Sequence, residues 1–338
     1  MKRALFKFGS HFAVCSATTQ EEWAIDVDVT EWVKKEAWVF PWAKFKSKTI
    51  SMASPGTEVT VTNLRPEVSA KFGTENFITA IMQLIKSKHR QFIADGLNIA
   101  VNGQHLTATN LYLLMKDSTL RPGVENEVFK ERGMADVKAR LIVAVGQSAP
   151  RDAGWYVIGN GRVILEADRR PETGWGAIED GNGKALVPRF HNQFSRFRGI
   201  VNFDSEDSSR VPWNTMKSDV DSDNPIWRAT LRKMIEMMRP VIDFLNELDA
   251  DIDEHGSQHS PMLDIVEKAQ STFAESFVRN AQFKAPIKTL MSKSPKVVKI
   301  QYSKPTKQVE FLKEALAVNS AVGVGEKTFE LILARMKV

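Results

Sequence analysis

Alternating apolar and polar residues near the amino terminus predict antiparallel strands. In HFAVCSAT (11–18) and EEWAIDVDV (21–29), apolar side chains fall on alternate positions, and TTQ separates the two segments. GTEVTVTNL (56–64) repeats this pattern, with Val59 and Val61 between polar residues. Because a period of two turns one face of each strand toward a core, the three segments predict one antiparallel sheet.

Helical spacing predicts the elements around these strands. Phe77, Ile81, Leu84 and Ile85 share one face of a helix over 75–93. The basic and apolar segment MKRALFKF opens the chain as a short helix. Further helices are predicted over 29–36, 63–71, 224–250, 260–279, 305–317 and 326–336.

Blocks of strands and helices indicate an α+β fold. Asn102-Gly103, within LNIAVNGQHLTA, is the strongest hairpin signal of the chain. Later strands are predicted in VKARLIVAVGQSA, GWYVIGNGRVILEAD, FSRFRGIVNFDSED and KVVKIQY. We expect two domains, 1–95 and 96–250, followed by a mostly helical extension over 251–338.

Composition narrows the function only slightly. A formal charge of +5 and a pI near 9.1 permit polyanion binding but are equally ordinary for an enzyme. No uncharged apolar run reaches ~18 residues, and the apolar run after Met1 is too short for a signal peptide, so we expect a cytoplasmic protein without a membrane span.

Metal and disulfide chemistry have little support in the sequence. Cys15 is the only cysteine, which excludes an internal disulfide and a cysteine-based zinc site, and we interpret it as a buried strand residue. His255 and His259 in HGSQH flank Gly and Ser, and we interpret this segment as a surface loop without a metal.

Three segments are candidates for anion binding. The helix start at Met1 and Lys2 combines free N–H groups with nearby cations, which suits a phosphate. GTEVTV begins at Gly56-Thr57, which is also compatible with a simple turn into a sheet. RVPWNTMKSDVD presents Lys217 from a polar loop, where a lysine is ordinarily solvated but can contact a phosphate as a point charge.

Together these segments resemble the GHKL ATPases, the class that includes gyrase B, a heat-shock chaperone, MutL and MORC-like bacterial proteins. The resemblance implies that MKRALFKFG follows the G-x-G of the ATP lid. It implies that Thr57 of Gly56-Thr57 helps to hold the adenine, and that PWNTMK directs Lys217 to the γ-phosphate. WYVIGNGRVILEADRRPETGWG, FHNQFSRFRGIVNF and VGEKTFELIL also look like bacterial members, so the resemblance covers essentially the whole chain.

The resemblance also implies an architecture. Residues 1–95 look like the C-terminal half of a Bergerat-type α/β sandwich, and 96–250 look like a ribosomal-protein-like transducer domain with a left-handed βαβ crossover. The implied nucleotide-binding residues are Met1, Lys2, Gly56, Thr57 and Lys217, and the implied catalytic residue is Lys217.

The chain departs from the family in one respect. The helix that carries the general-base Glu and the Mg²⁺-binding Asn, and the Asp-x-Gly-x-Gly loop that reads adenine, cannot be placed in this sequence. We therefore expect ATP and Mg²⁺ to bind in a complete site and weakly or not at all to this chain alone. An amino-terminal partner chain or segment would supply the missing half, and we expect a homodimer as the complete form. Hydrolysis by this chain alone should be very slow, because positioning and charge dominate phosphoryl transfer.

A second hypothesis is a non-catalytic DNA- or protein-binding module on the same scaffold. Basic stretches at 44–48, 86–90 and 284–304 each lie near an aromatic side chain, a combination that suits stacking on nucleic acid. The aromatic residues are Phe45, Phe92 and Tyr302. Solvated basic faces are the alternative interpretation.

Overall fold

The computed structural model describes residues 2–35, 39–177, 187–257, 259–287, 300 and 302–336. Sheets and helices are mixed along the chain, so the α+β class is confirmed. The helices are α1 (Lys2–Phe8), α2 (Val29–Val33), α3 (Pro66–Phe72), α4 (Glu75–Lys88), α5 (Arg90–Ala94), α6 (Pro225–His255), α7 (Pro261–Glu267), α8 (Thr306–Leu316) and α9 (Ala321–Met336). None of the helices in the described ranges combines the length and hydropathy that a bilayer crossing requires.

The described residues also contain thirteen strands and three short 3₁₀ helices. The strands are β1 (Gly9–Ala17), β2 (Glu22–Asp28), β3 (Trp42–Ala43), β4 (Gly56–Leu64), β5 (Ala100–Val101), β6 (Gln104–His105), β7 (Tyr112–Met115), β8 (Gly123–Phe129), β9 (Val137–Val145), β10 (Gly154–Gly159), β11 (Arg162–Asp168), β12 (Phe197–Asp204) and β13 (Gln270–Phe273).

The first sheet has the order β3-β2-β1-β4 and is antiparallel, as the alternating pattern predicts. Phe12 on β1 lies opposite Val27 on β2, and both side chains are buried. The Phe6 ring of α1 packs edge-on against Phe12, with the ring centroids 5.1 Å apart. The amino-terminal helix therefore covers this part of the sheet.

The second sheet, of order β11-β10-β12-β9-β8, packs one face on α6. Trp155, Trp175 and Phe197 form the aromatic centre of this core, and Trp175 and Phe197 are 5.2 Å apart between ring centroids. β10 and β12 are parallel neighbours. Their connection runs through β11 and two 3₁₀ turns, with no α-helix among its described residues. The left-handed βαβ crossover that the resemblance implies stays a prediction.

The outer edge of β8 is covered by a segment far along the chain. Val124 exchanges two backbone hydrogen bonds with Ala281, and Arg121 exchanges two with Lys284. The amide group of Asn126 donates to the side chain of Asn280 and to a nearby carbonyl. An edge strand that would otherwise present free N–H and C=O groups is thus paired.

Helices α4 and α5 are attached to β11 through charged side chains. Arg90 is 4% exposed, donates to Glu166 at 2.7 Å and lies over the Tyr156 ring. Lys88 donates to the Ile164 carbonyl at 2.9 Å, and burial lowers its pKa. Part of the basic stretch 86–90 is therefore used in the contact between these helices and β11.

Several element boundaries differ from the sequence prediction. The helix predicted over 75–93 is interrupted at His89, and the one predicted over 260–279 ends as α7, after which β13 pairs with β7. Strands β7 and β8 were not predicted. His255 is the buried last residue of α6 and lies 3.1 Å from Asp251, so assigning it to a surface loop was wrong. The strand predicted in KVVKIQY lies mostly outside the described residues.

We expect Gly199→Ala to destabilise the protein by about 1–3 kcal/mol, the usual cost of overpacking a core. A Cβ at Gly199 would lie 2.4 Å from Cε3 of Trp155, whose side chain is fully buried. Urea unfolding measures the change. Gly73→Ala is the matched control, because its Cβ meets nothing closer than the Ser69 carbonyl at 3.4 Å. Equal stability of both variants would contradict the packing argument.

Candidate functional site

The first candidate segment passes directly from helix to strand. Met1 lies outside the described residues, and Lys2 is the first residue of α1. α1 ends at Phe8 and β1 begins at Gly9, where a Cβ would lie 2.4 Å from the Thr62 carbonyl oxygen. This close approach requires glycine and fixes α1 beside the sheet.

Gly56 and Thr57 begin β4, opposite Ala17 and Ser16 of β1. The hydroxyl oxygens of Thr57 and Ser16 are 2.9 Å apart, and Thr57 is exposed. A hydroxyl can make more than one hydrogen bond, so the Thr57 oxygen remains able to contact a ligand while it contacts Ser16.

Lys217 lies at the tip of a closed turn. Trp213 and Val220 form an antiparallel bridge across its base, and the Asn214 amide donates to the Asp219 carbonyl at 2.9 Å. Lys217 itself has a φ of 53°, in the left-handed region. Its amide donates to the Asn214 carbonyl at 2.9 Å. The backbone of the candidate lysine is therefore held by local hydrogen bonds.

The Lys217 ammonium packs on an aromatic ring. Its Nζ lies 4.2 Å from the centroid of Trp213, within the range of a cation–π interaction. Trp213 packs against the second core, and a Cβ at Gly159 would lie 2.7 Å from its ring. The ring is thus a fixed platform, and the lysine side chain is half-buried on it.

Arg170 anchors the turn to the end of β11. Its guanidinium donates two hydrogen bonds of 2.9 Å to Asp219 and one of 2.6 Å to Asp168. Thr173 also donates to Asp168 at 2.9 Å. The hydrogen bonds from Arg170 lower the pKa of Asp219, against the opposing effect of burial. Bidentate pairing fixes the direction of both side chains, so the position of Lys217 depends on Arg170.

The candidate residues belong to two different sheets. Gly56 and Thr57 lie in the first sheet, and the Lys217 turn is anchored to the second. No hydrogen bond, ion pair or ring contact within the described residues joins Lys217 to Gly56 or Thr57. Their convergence on one ligand stays a prediction.

The sheet face that carries Thr57 is only partly covered. Ser16 lies opposite both Trp23 and Thr57, so the three side chains project from one face. At the far end of this face, the Phe6 ring lies 5.3 Å from Trp32 of α2. The Thr57 end is open, and Trp23, Val59 and Trp42 there are 38%, 41% and 76% exposed.

The opposite face of the sheet carries polar contacts that sequence reasoning missed. His11 contacts Asp26 at 2.6 Å and Thr62 at 2.9 Å. Glu58 accepts from Ser47 at 2.6 Å and from Thr49, and these hydrogen bonds lower its pKa. Between the two groups is an open cavity of about 190 Å³, lined by residues that include Cys15, Lys44 and Lys46. Alternation along β1 predicts which residues lie on this face. The segment 44–49, which completes the face, has no periodic pattern that would predict its position.

Within the described residues, no group of three or more His, Cys, Asp or Glu side chains is placed to hold a metal ion.

Comparison with known proteins gives little similarity. No protein-family model matches the chain, and no curated protein matches it. Among solved structures, the B subunit of the DNA gyrase from Myxococcus xanthus is similar at 12% identity, over 72% of this chain and 69% of that chain, with a TM-score of 0.35. A likeness at this level identifies neither a family nor a function.

We expect Asp219→Asn to lower the free energy of unfolding by about 1 kcal/mol at neutral pH, a modest value because solvent screens an exposed pair. The side chains of Arg170 and Asp219 are 44% and 38% exposed. Folding lowers the pKa of Asp219. The contribution of the Arg170–Asp219 pair to the free energy of unfolding is therefore complete above the unfolded pKa of about 3.9, and it is lost as the pH falls through the folded pKa.

Urea titrations of both proteins at neutral and strongly acidic pH measure this difference. Asp223→Asn is the control from the same segment, because the Asp223 side chain is 91% exposed in its pair with Arg228. A difference that persists unchanged at a pH below both pKa values would rule out the ion pair as its source.

Proposed function

We propose that this chain is the sheet and transducer portion of a GHKL-type ATPase, whose nucleotide site is completed by a further polypeptide element. The observation that supports this proposal is the open end of the Thr57 face. Trp23 and Trp42 expose apolar surface there, which a second layer would bury. In the family that the sequence resembles, helices over such a sheet enclose the nucleotide.

The described residues offer contacts that suit a nucleoside triphosphate. The exposed Thr57 hydroxyl can accept from and donate to an adenine edge. Backbone N–H groups at the start of α1 would supply dipoles to the phosphates. Lys217 would supply a positive charge to the terminal phosphate. Bound ATP, with Mg²⁺, would supply the phosphoanhydride bond that is hydrolysed in the complete site.

Lys217 can leave its aromatic platform at small cost. A cation–π contact is worth about 0.5–1 kcal/mol where water has access, whereas a hydrogen bond to a charged group contributes about 1.5–3 kcal/mol. The exchange of Trp213 for phosphate oxygens is therefore favourable. Arg170 would keep the turn in place during this exchange, since its contacts to Asp219 involve neither Lys217 nor Trp213.

ATP hydrolysis in the family needs catalytic groups that cannot be placed in this sequence. The family's general-base Glu, its Mg²⁺-binding Asn and its adenine-reading Asp have no counterparts that can be placed here. We therefore propose that ATP binding and hydrolysis both depend on the added element. The family resemblance further implies a homodimer as the complete form.

We expect the isolated chain to bind Mg²⁺-ATP no more tightly than about 1 mM, or −4.1 kcal/mol. Isothermal titration calorimetry with the full chain measures the affinity. Micromolar, Mg²⁺-dependent binding by the chain alone would contradict the proposed incomplete site.

The same proposal predicts recovery of binding in a complex. The chain is isolated from its natural host with its bound polypeptides, and ATP affinity is measured again. Thr57→Val and Lys217→Ala should each weaken binding at least tenfold, because each removes one direct ligand contact. Lys268→Ala is the control, since Lys268 pairs with Asp264 on the surface of α7. Unchanged ATP affinity in both site variants would contradict the proposal.

A second candidate function is single-stranded nucleic-acid binding through the segment around β3. Trp42 is 76% exposed, and Lys44 and Lys46 follow it closely in sequence. Aromatic faces with neighbouring cations suit stacked bases and phosphates. Fluorescence anisotropy with a labelled oligonucleotide at several salt concentrations tests this function. Binding that falls steeply with salt, and that Trp42→Ala abolishes, would support it, and no binding at low salt would exclude it.

A further inference from the structure

The cavity on the first sheet, on the face opposite Thr57, has a floor of small side chains. It holds about 190 Å³ between the sheet and the segment 44–49. Cys15 of β1 lies opposite Ala24 of β2, and Ala13 is two residues from Cys15 on the same face. Because these three side chains are short, they leave space beneath the segment that crosses them.

The segment above the cavity is fixed at both ends. Ala43 pairs with Ala24 on β2, and Ser47 donates to Glu58 of β4 at 2.6 Å. Thr49 donates to the same carboxylate. Since β2 and β4 are the two neighbours of β1, the segment passes over β1 and covers the cavity. The space is therefore built into the fold of this sheet.

Charged side chains of both signs line the cavity. Asp26 lies on β2 and Glu58 on β4, so their strands are ~10 Å apart, which is two strand spacings. Lys44 and Lys46 line the cavity from the segment above it. Two cations and two carboxylates give the lining no net formal charge.

Part of this charge has no partner within the protein. The Oδ1 atom of Asp26 contacts His11 at 2.6 Å, and His11 contacts Thr62 at 2.9 Å, which holds the carboxylate in place. Within the described residues, the Oδ2 atom of Asp26 has no hydrogen bond or ion pair, and neither has the ammonium group of Lys44 or Lys46. One acceptor and two cations therefore remain available to a ligand.

We propose that this cavity binds a small amino carboxylate, whose carboxylate contacts Lys44 and Lys46 and whose ammonium contacts Asp26. A ligand with both charges leaves the neutral lining neutral, whereas a simple anion or cation would pair with only one set of charges. The cavity is smaller than the about 300–1,000 Å³ of sites for drug-sized ligands, so the ligand has few atoms. The proposal does not depend on nucleotide binding, which concerns the opposite face.

The same charges disfavour a polyanion in the cavity. Asp26 and Glu58 would repel phosphates, and polyanion sites carry an excess of cations. The exposed Trp42 does not extend the cavity, because Trp42 pairs with Ile25 and projects to the other face, whereas Ala43 pairs with Ala24 on the cavity side. A base stacked on Trp42 would therefore lie away from this space.

The single cysteine of the chain gives a direct measure of occupancy. Cys15 lines the cavity, so the rate at which iodoacetamide alkylates the full chain reports whether the cavity is filled. The probes are glycine, 4-aminobutanoate and 6-aminohexanoate, which differ in the distance between their charges. We expect at least one of them to slow alkylation about tenfold at ten times its dissociation constant. Acetate and methylammonium together should not, because linking the two charges in one molecule strengthens binding.

Variants test the assigned contacts. The double variant Lys44→Ala/Lys46→Ala and the single variant Asp26→Asn should each weaken binding about tenfold or more, the effect of losing a hydrogen bond to a charged group. Lys48→Ala is the matched control, because Lys48 belongs to the same segment but does not line the cavity. Calorimetry in a Cys15→Ser background measures the same affinities without the thiol, and circular dichroism checks the fold of each variant.

Four outcomes would overturn the proposal. They are no protection of Cys15 by any of the three probes, equal protection by acetate alone, an equal loss of binding in Lys48→Ala, and equal protection by a single-stranded oligonucleotide.

Discussion

The burial of the Trp155 indole over Gly199 is the constraint on which the second sheet depends. These residues face each other across the parallel pair β10–β12, and only a residue without a side chain leaves room for the ring. Trp155 then meets Phe197 at 5.6 Å between ring centroids, and Phe197 meets Trp175. This aromatic cluster gives α6 a surface to pack on, so the position of the long helix follows from one glycine.

Strand β11 connects that core to α5 and to the Lys217 turn. Glu166 accepts from Arg90 of α5, and Asp168 accepts from Arg170, which also binds the Lys217 turn through Asp219. The two anchoring carboxylates are two residues apart on one strand. A displacement of α4 and α5 would therefore act on the element that holds the candidate lysine.

The sequence predicted those strands, turns and helices whose own residues carry a clear periodic or turn pattern. β1, β2 and β4 alternate clearly, Asn102-Gly103 encodes its hairpin, and α6 has a long apolar stripe. β7 and β13 were not predicted because their pairing joins residues far apart in sequence. The predicted helix over 260–279 did not take into account that residues 270–273 pair with β7 instead of continuing the helix. At the candidate site, the sequence indicated Thr57 and Lys217. The roles of Arg170 and Asp219 depend on a contact between separate segments, which no local pattern encodes.

The covered edge of β8 has a consequence for synthesis on the ribosome. Asn126 and its partner Asn280 are 154 residues apart. At about 5–20 residues per second, translation leaves the β8 edge open for roughly 8–30 s before its cover emerges. During that interval the nascent chain exposes unpaired backbone to neighbouring chains on the same message, so chaperone occupancy should be greatest while the segment between these two asparagines is being made.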